Sequence, residues 1–242
     1  MKRNRVHILC TGPVSETLVR EAALDDIIIH EASFIKTVEI KSAAIEQRIH
    51  ELARQKITAV FTSVKAVEAV VKFIPAIKTP WKIFCTGNTT KKIVKKIFGE
   101  ENISAVADNA EQLAEKIVKN SSIKNVAFFC GDQRRNELPG KLKNSGITVE
   151  ELVVYKTVGT PQIVAKQYDG ILFFSPSAVK SFFSKNSITS KTRVFAIGAT
   201  TANSAKPFTQ QPVIISNKPG KDDLVTLAIE HFCKSKLIRC NL

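Results

Sequence analysis

The stretch Phe173-Phe174-Ser175-Pro176-Ser177-Ala178-Val179 decides how the chain is read. Apolar residues from Gly170 to Phe174 read as a buried strand, the chain turns on Ser-Pro-Ser, and a helix from Ser177 leaves through Val179, Phe182 and Phe183. A strand that ends in small polar residues and reopens as a helix leaves backbone N–H groups and hydroxyls pointing one way. An anion can be held there without a dedicated cation. The same device occurs earlier. Phe61-Thr62-Ser63-Val64-Lys65-Ala66-Val67 aligns with it, and Phe84, Gly87, Thr89 and Thr90 recur as Phe195, Gly198, Thr200 and Thr201, 111 residues further on. The same offset carries Leu113, in a helix behind an acidic cap, to Leu224. Elements that keep their order at near-constant spacing point to two similar domains.

Around these anchors, short β-branched and aromatic runs alternate with helical patterns. Strands are expected at Val6–Cys10, Ala59–Phe61, Ile83–Cys85, Ile103–Val106, Val126–Cys130, Arg193–Ile197 and Val213–Ile215. Helices are expected between them, including Glu16–Leu24 behind an N-cap at Ser15 and a last one over Asp222–Cys233. Such alternation makes parallel sheets with helices on both faces. Two extended runs, 27–40 and 148–158, are long for single strands, and each reads as a strand that leaves one unit and enters another. The middle unit, 36–156, is then an insertion, and the outer domain is 1–35 plus 157–242. The expected fold class is α/β: two similar parallel-sheet three-layer domains joined by a two-stranded antiparallel linker. Open parallel sheets bind ligands beyond the carboxyl ends of their strands. Two such edges across a hinge are expected to line a cleft, with Ser175 and Ser177 facing Thr62 and Ser63.

Composition narrows the class. Of 242 residues, 44% are hydrophobic and 24% charged, which fits a soluble globular chain, and no apolar run approaches the roughly 20 residues that cross a bilayer. Five cysteines (Cys10, Cys85, Cys130, Cys233, Cys240) form no CxxC pair, and the first three end apolar runs as small buried hydrophobes would. A reducing cytoplasm is the expected compartment. His7, His30, His50 and His231 lack metal-ligand spacing. The net charge of +14 suits a polyanionic partner. Nucleic acid is not the expected partner, because the lysines are spread over helix faces and one Trp and two Tyr leave little for base stacking.

Conventional catalytic signatures are missing: no Walker loop, GxGxxG, GxSxG or HExxH occurs. Arg134, beside Arg135 and just after Gly131-Asp132, reads either as a carboxylate clamp or as a solvated helix start. Tyr155 is the odd residue on its crossing strand, suited to packing or to donating a hydrogen bond.

Taken together, the strand-end motifs resemble the uroporphyrinogen-III synthase family along nearly the whole chain. The carriers are Phe61-Thr-Ser-x-x-Ala-Val67, Cys85-Thr-Gly-x-x-Thr90, Gly131-x-x-Arg134-Arg135-x-x-Leu138 with Gly146, Val154-Tyr155-x-Thr157, Phe173-Phe-Ser-Pro-Ser-Ala-Val179 and Ile197-Gly-x-Thr-Thr-Ala202. One position departs: Gly12 stands at the first strand end where the family often has Arg. The resemblance implies a cyclising lyase of tetrapyrrole (haem) biosynthesis. Hydroxymethylbilane loses its hydroxyl, its last pyrrole ring is inverted through a spiro intermediate, and uroporphyrinogen III closes with loss of water. It implies no cofactor and no metal.

By the same resemblance Tyr155 assists hydroxyl departure. Thr62, Ser63, Thr86, Gly87, Thr90, Arg134, Ser175, Pro176, Ser177, Ala178, Gly198, Thr200 and Thr201 are expected to bind the substrate's eight carboxylates. The expected protein is a cytoplasmic monomer with a small-molecule substrate and no nucleic-acid or membrane partner. Read from architecture alone, a two-lobed, non-catalytic sensor of an anionic metabolite stays open.

Overall fold

The structure, a computed structural model, describes residues 5–74, 78–218 and 220–240. In chain order the elements begin with β1 (Val6–Cys10), α1 (Glu16–Leu24), β2 (Ile27–Glu31), β3 (Ile35–Glu39), α2 (Ala43–Ala53), β4 (Thr58–Phe61) and α3 (Val64–Val71). They continue with β5 (Lys82–Thr86), α4 (Asn88–Phe98), β6 (Ile103–Ala107), α5 (Ala110–Val118), β7 (Asn125–Gly131), α6 (Glu137–Asn144) and β8 (Thr148–Gly159). The chain closes through β9 (Gly170–Phe173), α7 (Pro176–Phe183), β10 (Arg193–Ala196), α8 (Ala199–Ala205), β11 (Ile214–Ile215) and α9 (Lys221–Cys240). Two compact units result, Met1–Lys36 with Val158–Leu242, and Thr37–Thr157.

The outer unit has a five-stranded sheet in the order β11-β10-β9-β1-β2, every pairing parallel. Its apolar strand residues alternate between two cores. Ile8, Cys10, Leu172 and Phe195 pack with Ala22 of α1 and Leu224, Val225 and Ala228 of α9. Leu9, Ile171, Phe173 and Val194 pack with Ala178, Val179 and Phe182 of α7 and Ala205 of α8. The inserted unit has the order β3-β8-β7-β4-β5-β6, parallel from β8 to β6. On one face Phe61, Ile83 and Phe129 meet α2, α3 and α4 through Leu52, Val67, Val70 and Val94. On the other, Val60, Phe84 and Phe128 meet Leu113 and Ile117 of α5 and Leu138 and Leu142 of α6. Both units are therefore three layers deep, as the uninterrupted apolar strands predict.

The two sheets are alike beyond the repeat visible in sequence. Segment β4-α3-β5-α4-β6-α5 corresponds to β9-α7-β10-α8-β11-α9, with its first two helices on one face and the third on the other. Segment β7-α6-β8, which follows in the inserted unit, corresponds to β1-α1-β2, which comes first in the outer one. The units are circular permutations of one architecture. The extra elements β3 and α2 belong to the inserted unit.

Two expectations are corrected. Residues 27–40 are not one strand: β2 closes the outer sheet and β3 opens the inserted one, because Phe34 between them is fully buried among Phe182 and its neighbours. Helix α7 begins at Pro176, one residue before Ser177, since Ser175 is extended and caps it. The linker has the expected form. The Phe34 carbonyl accepts from the Thr160 N–H and the Val154 carbonyl from the Ile40 N–H. One chain therefore rises as the other falls, which is antiparallel pairing.

Aromatic stacking anchors the inserted unit. Phe61 stacks on Phe129 at 5.0 Å between centroids, Trp81 stacks on Phe129 at 5.4 Å, and the Trp81 indole N–H donates to the Leu52 carbonyl. Phe61→Ala should therefore cost about 3–5 kcal/mol. Urea unfolding followed by the fluorescence of Trp81, the single tryptophan, checks this. A cost below about 1 kcal/mol would contradict the packing.

Candidate functional site

In the inserted unit three strand ends matter. At the first, Ser63 is the N-cap of α3: its Oγ accepts the Ala66 N–H at 3.1 Å. At the second, the Thr86 hydroxyl donates to the Thr62 carbonyl at 3.2 Å, and Gly87 (φ 68°) turns the chain into α4. No side chain caps α4, and Thr90 is buried in its first turn. At the third, the Asp132 N–H donates to the Tyr155 carbonyl, and Asp132 Oδ1 accepts the Thr157 N–H at 2.9 Å. The turn after β7 thereby straps the crossing strand at Tyr155-x-Thr157. Arg134, in the same turn, pairs with Glu151, which also takes Lys143 at 2.8 Å. Burial works against the charge on Glu151, but the hydrogen bonds from Lys143 and Arg134 outweigh it and hold the carboxyl below its usual range. Arg134 is a tether to β8 in this structure.

Tyr155 is brought to these turns by a bulge. Along β8 the cores alternate from Leu152 on the α3 face to Val153 on the α6 face and Val154 back on the α3 face. Tyr155 then stays on the α3 face. The pairing shows why: Cys130 lies opposite Val153 but Gly131 lies opposite Tyr155, so one extra residue sits on β8. Such an insertion bends a strand and re-aims a side chain. Regular alternation would have sent the phenol to the other face. Instead its hydroxyl shares a 3.1 Å hydrogen bond with Ser63 Oγ. The ring borders a cavity of about 540 Å³, whose wall includes Thr37 and Glu39 of β3, Lys65 of α3 and Lys72 just after it.

In the outer unit Ser175 does for α7 what Ser63 does for α3, accepting the Ala178 N–H at 3.2 Å. Pro176, Ser177 and Ala178 form the first turn, with Ala178 buried. Gly198 opens α8 with no side-chain cap; Thr200 is exposed and Thr201 buried. At the Gly12 turn, the Thr11 hydroxyl donates to the Leu172 carbonyl at 2.8 Å, and Lys221 lies 5.1 Å over the Phe174 ring. The outer unit thus groups Ser175–Ala178 and Gly198–Thr201 just beyond the ends of neighbouring strands, and the inserted unit groups Thr62, Ser63, Thr86, Gly87 and Tyr155.

The strand-end thiols of Cys10, Cys85 and Cys130 are buried. Burial, and then the nearby Glu31, pushes Cys10 up to about 12, and burial pushes Cys85 and Cys130 up to about 11, so all three stay protonated near neutral pH. Among the described residues no group of three or more His, Cys, Asp or Glu is placed to hold a metal ion, and no helix is long and apolar enough to cross a membrane.

Comparison with known proteins agrees with this fold. The family model for uroporphyrinogen-III synthase HemD matches residues 16–226. The uroporphyrinogen-III synthetase of Helicobacter pylori is similar at a TM-score of 0.65 and 15% identity, covering 93% of this chain and 99% of that one. A mutant uroporphyrinogen III synthase of Thermus thermophilus is similar at 0.61 and 12% identity, covering 96% and 99%. At such identities the two structures speak for the fold.

One cluster was invisible in sequence. His7 and His30, scattered along the chain, meet at 3.1 Å, Lys166 donates to His7 Nδ1 at 2.9 Å, and Asp169 accepts the His7 backbone N–H. Burial, then Lys166 and His7, hold the His30 imidazole below its ordinary value. The unfolded chain takes up this proton first, so the stability His30 contributes is present above about pH 6.5 and is lost as pH falls toward the folded value. Melting temperature should therefore fall between pH 7.5 and 5.5, and His30→Gln should flatten that fall; an unchanged profile would show that His30 is not the group responsible.

Proposed function

The chain belongs to the uroporphyrinogen-III synthase family, and from that premise we propose that it cyclises hydroxymethylbilane to uroporphyrinogen III with inversion of the last ring and loss of water. The observation that carries the reading at residue level is the Tyr155 hydroxyl, bonded to Ser63 at the carboxyl edge of a parallel sheet. There the departing hydroxyl needs a proton to leave as water, and a phenol O–H is a donor at neutral pH.

The substrate is reactive by itself, so catalysis is largely a matter of posture. The enzyme must hold a flexible tetrapyrrole in one bend and favour one closure, which positioned donors can do without a strong acid or base. Those donors divide into two kinds. Gly87 and Gly198 make no side-chain cap to α4 and α8, so the first backbone N–H groups there are the proposed donors to substrate carboxylates. At Ser175 the oxygen is engaged by the Ala178 N–H, so its O–H is what remains to donate. Thr62, Thr90, Thr200 and Thr201 and the Pro176–Ala178 turn complete the proposed substrate-binding set. Arg134 belongs to it only by releasing Glu151. A net charge of +14 draws the polyanion in over the screening length of about 8–10 Å. The buried thiols of Cys10, Cys85 and Cys130 suit a reducing compartment, and we place the protein in the cytoplasm as a monomer.

The decisive assay generates hydroxymethylbilane in place and analyses the product isomers. The expected result is uroporphyrinogen III in excess of the uninverted isomer; an isomer ratio equal to that without protein would sink the enzyme reading. Tyr155→Phe should lower kcat on the order of 10–100-fold with the melting temperature nearly unchanged. KM should rise with ionic strength, as binding of a polyanion requires.

A further inference from the structure

Gly131 ends β7 and has no side chain where Tyr155 has its ring. A Cβ placed on Gly131 would lie 2.5 Å from Tyr155 Cζ and 2.8 Å from its hydroxyl oxygen, closer than real atoms approach. Gly131 does not adopt a left-handed backbone, unlike Gly87, Gly99 and Gly146, so conformation does not require glycine there. The close approach does. Residue 131 is also the position at which the β7–β8 register shifts to put Tyr155 on the α3 face, and the next residue ties down the Tyr155 carbonyl. Three features of one turn thus converge on one side chain.

The far end of that side chain is equally defined. Ser63 Oγ accepts the Ala66 N–H and retains a single proton to give. At 3.1 Å either hydroxyl can be the donor; given from Ser63, the bond makes Tyr155 Oη the acceptor. With the bond in that sense, the phenol keeps its own O–H for another partner. The oxygen that would carry the resulting negative charge sits at the N-terminal end of α3, where the helix dipole favours it.

We propose that Gly131 and Ser63 are positioning residues for the Tyr155 hydroxyl: Gly131 supplies the space that seats the ring, and Ser63 donates to the phenol oxygen so that its proton points outward. The consequence for catalysis rests on the proposed synthase reading; the seating of the ring does not.

A double-mutant cycle separates this role from a merely structural one. Gly131→Ala should lower kcat about tenfold or more while KM changes less than about twofold. In a Tyr155→Phe background the same substitution should leave kcat within about twofold, although the Cβ still meets the ring and the melting temperature falls equally in both. An equal kcat loss in both backgrounds, or none in the wild type, overturns the proposal. Ser63→Ala should likewise lower kcat by a larger factor in the wild type than in the Tyr155→Phe background, and Ser63→Thr, which keeps the hydroxyl, should restore it. This pair decides the matter if Gly131→Ala does not fold.

A readout independent of activity is the NMR signal of ring-13C-labelled tyrosine. The sequence has two tyrosines, so the Tyr155 signal is the one absent from Tyr155→Phe. It should move in both Gly131→Ala and Ser63→Ala. A signal that stays in place sinks the positioning role even in an active enzyme. A signal that moves in a protein making no excess of the inverted isomer supports the seating and sinks the synthase reading.

Discussion

A parallel sheet is covered on both faces, and that constraint governs most of this molecule. Each strand must carry apolar side chains to both sides, and each return to the next strand must pass through a helix. Every strand of the repeated set therefore ends at the same edge of its sheet, and every following helix starts there. The small polar residues at Thr62-Ser63, Thr86-Gly87, Ser175 and Gly198 are consequences of that geometry before they are anything chemical. They turn the chain sharply and satisfy, or leave open, the first N–H groups of a helix.

The permuted relation between the units follows from the same economy. A sheet of this type can begin at any of its βα elements provided the order of neighbours is kept. The outer unit begins with the pair that closes the inserted unit, and the chain crosses on β3 and β8. The 12-residue β8 is the one strand that both completes a sheet and leaves it. Its second half is where alternation fails, and Tyr155 sits in that half. Asp132, the Gly131 register shift and Phe34 restrain the two crossings through a carboxylate hydrogen bond, strand register and packing respectively.

At Tyr155 two local features meet. A serine that caps a helix uses one of its two lone pairs on the helix and keeps its proton, and a phenol held against that serine sits in the positive end of the helix dipole. No buried charge is required, and the desolvation cost that accompanies one is avoided. Elsewhere in the unit charge is used for tethering: Arg48 grips Glu150 and Glu51, and Arg134 with Lys143 grips Glu151. Arg48, Arg134 and Lys143 thus tie β8 to the elements beside it.

What could be read from the amino acids alone was everything carried by neighbours in the chain. The alternation of apolar runs with helical periods showed the α/β class, the offset of 111 residues showed the repeat, and the cap residues marked the strand-end turns. Even the crossing at 148–158 was legible, because its length was anomalous. Only the tertiary structure decided which face each side chain takes and what it meets. Val153-Val154-Tyr155 is apolar or aromatic throughout, so no periodicity announces a bulge; the register is set by β7, more than 20 residues earlier. The split of 27–40 was hidden for the same reason, since Phe34 turns inward only because a core exists to receive it. Arg134 reads from sequence as a clamp or a solvated helix start and gives no sign of its partner Glu151, and His7 and His30 look scattered until parallel pairing brings β1 and β2 together. Periodicity and capping are short-range properties of a chain, whereas register and contact are properties of two segments that the sequence writes far apart.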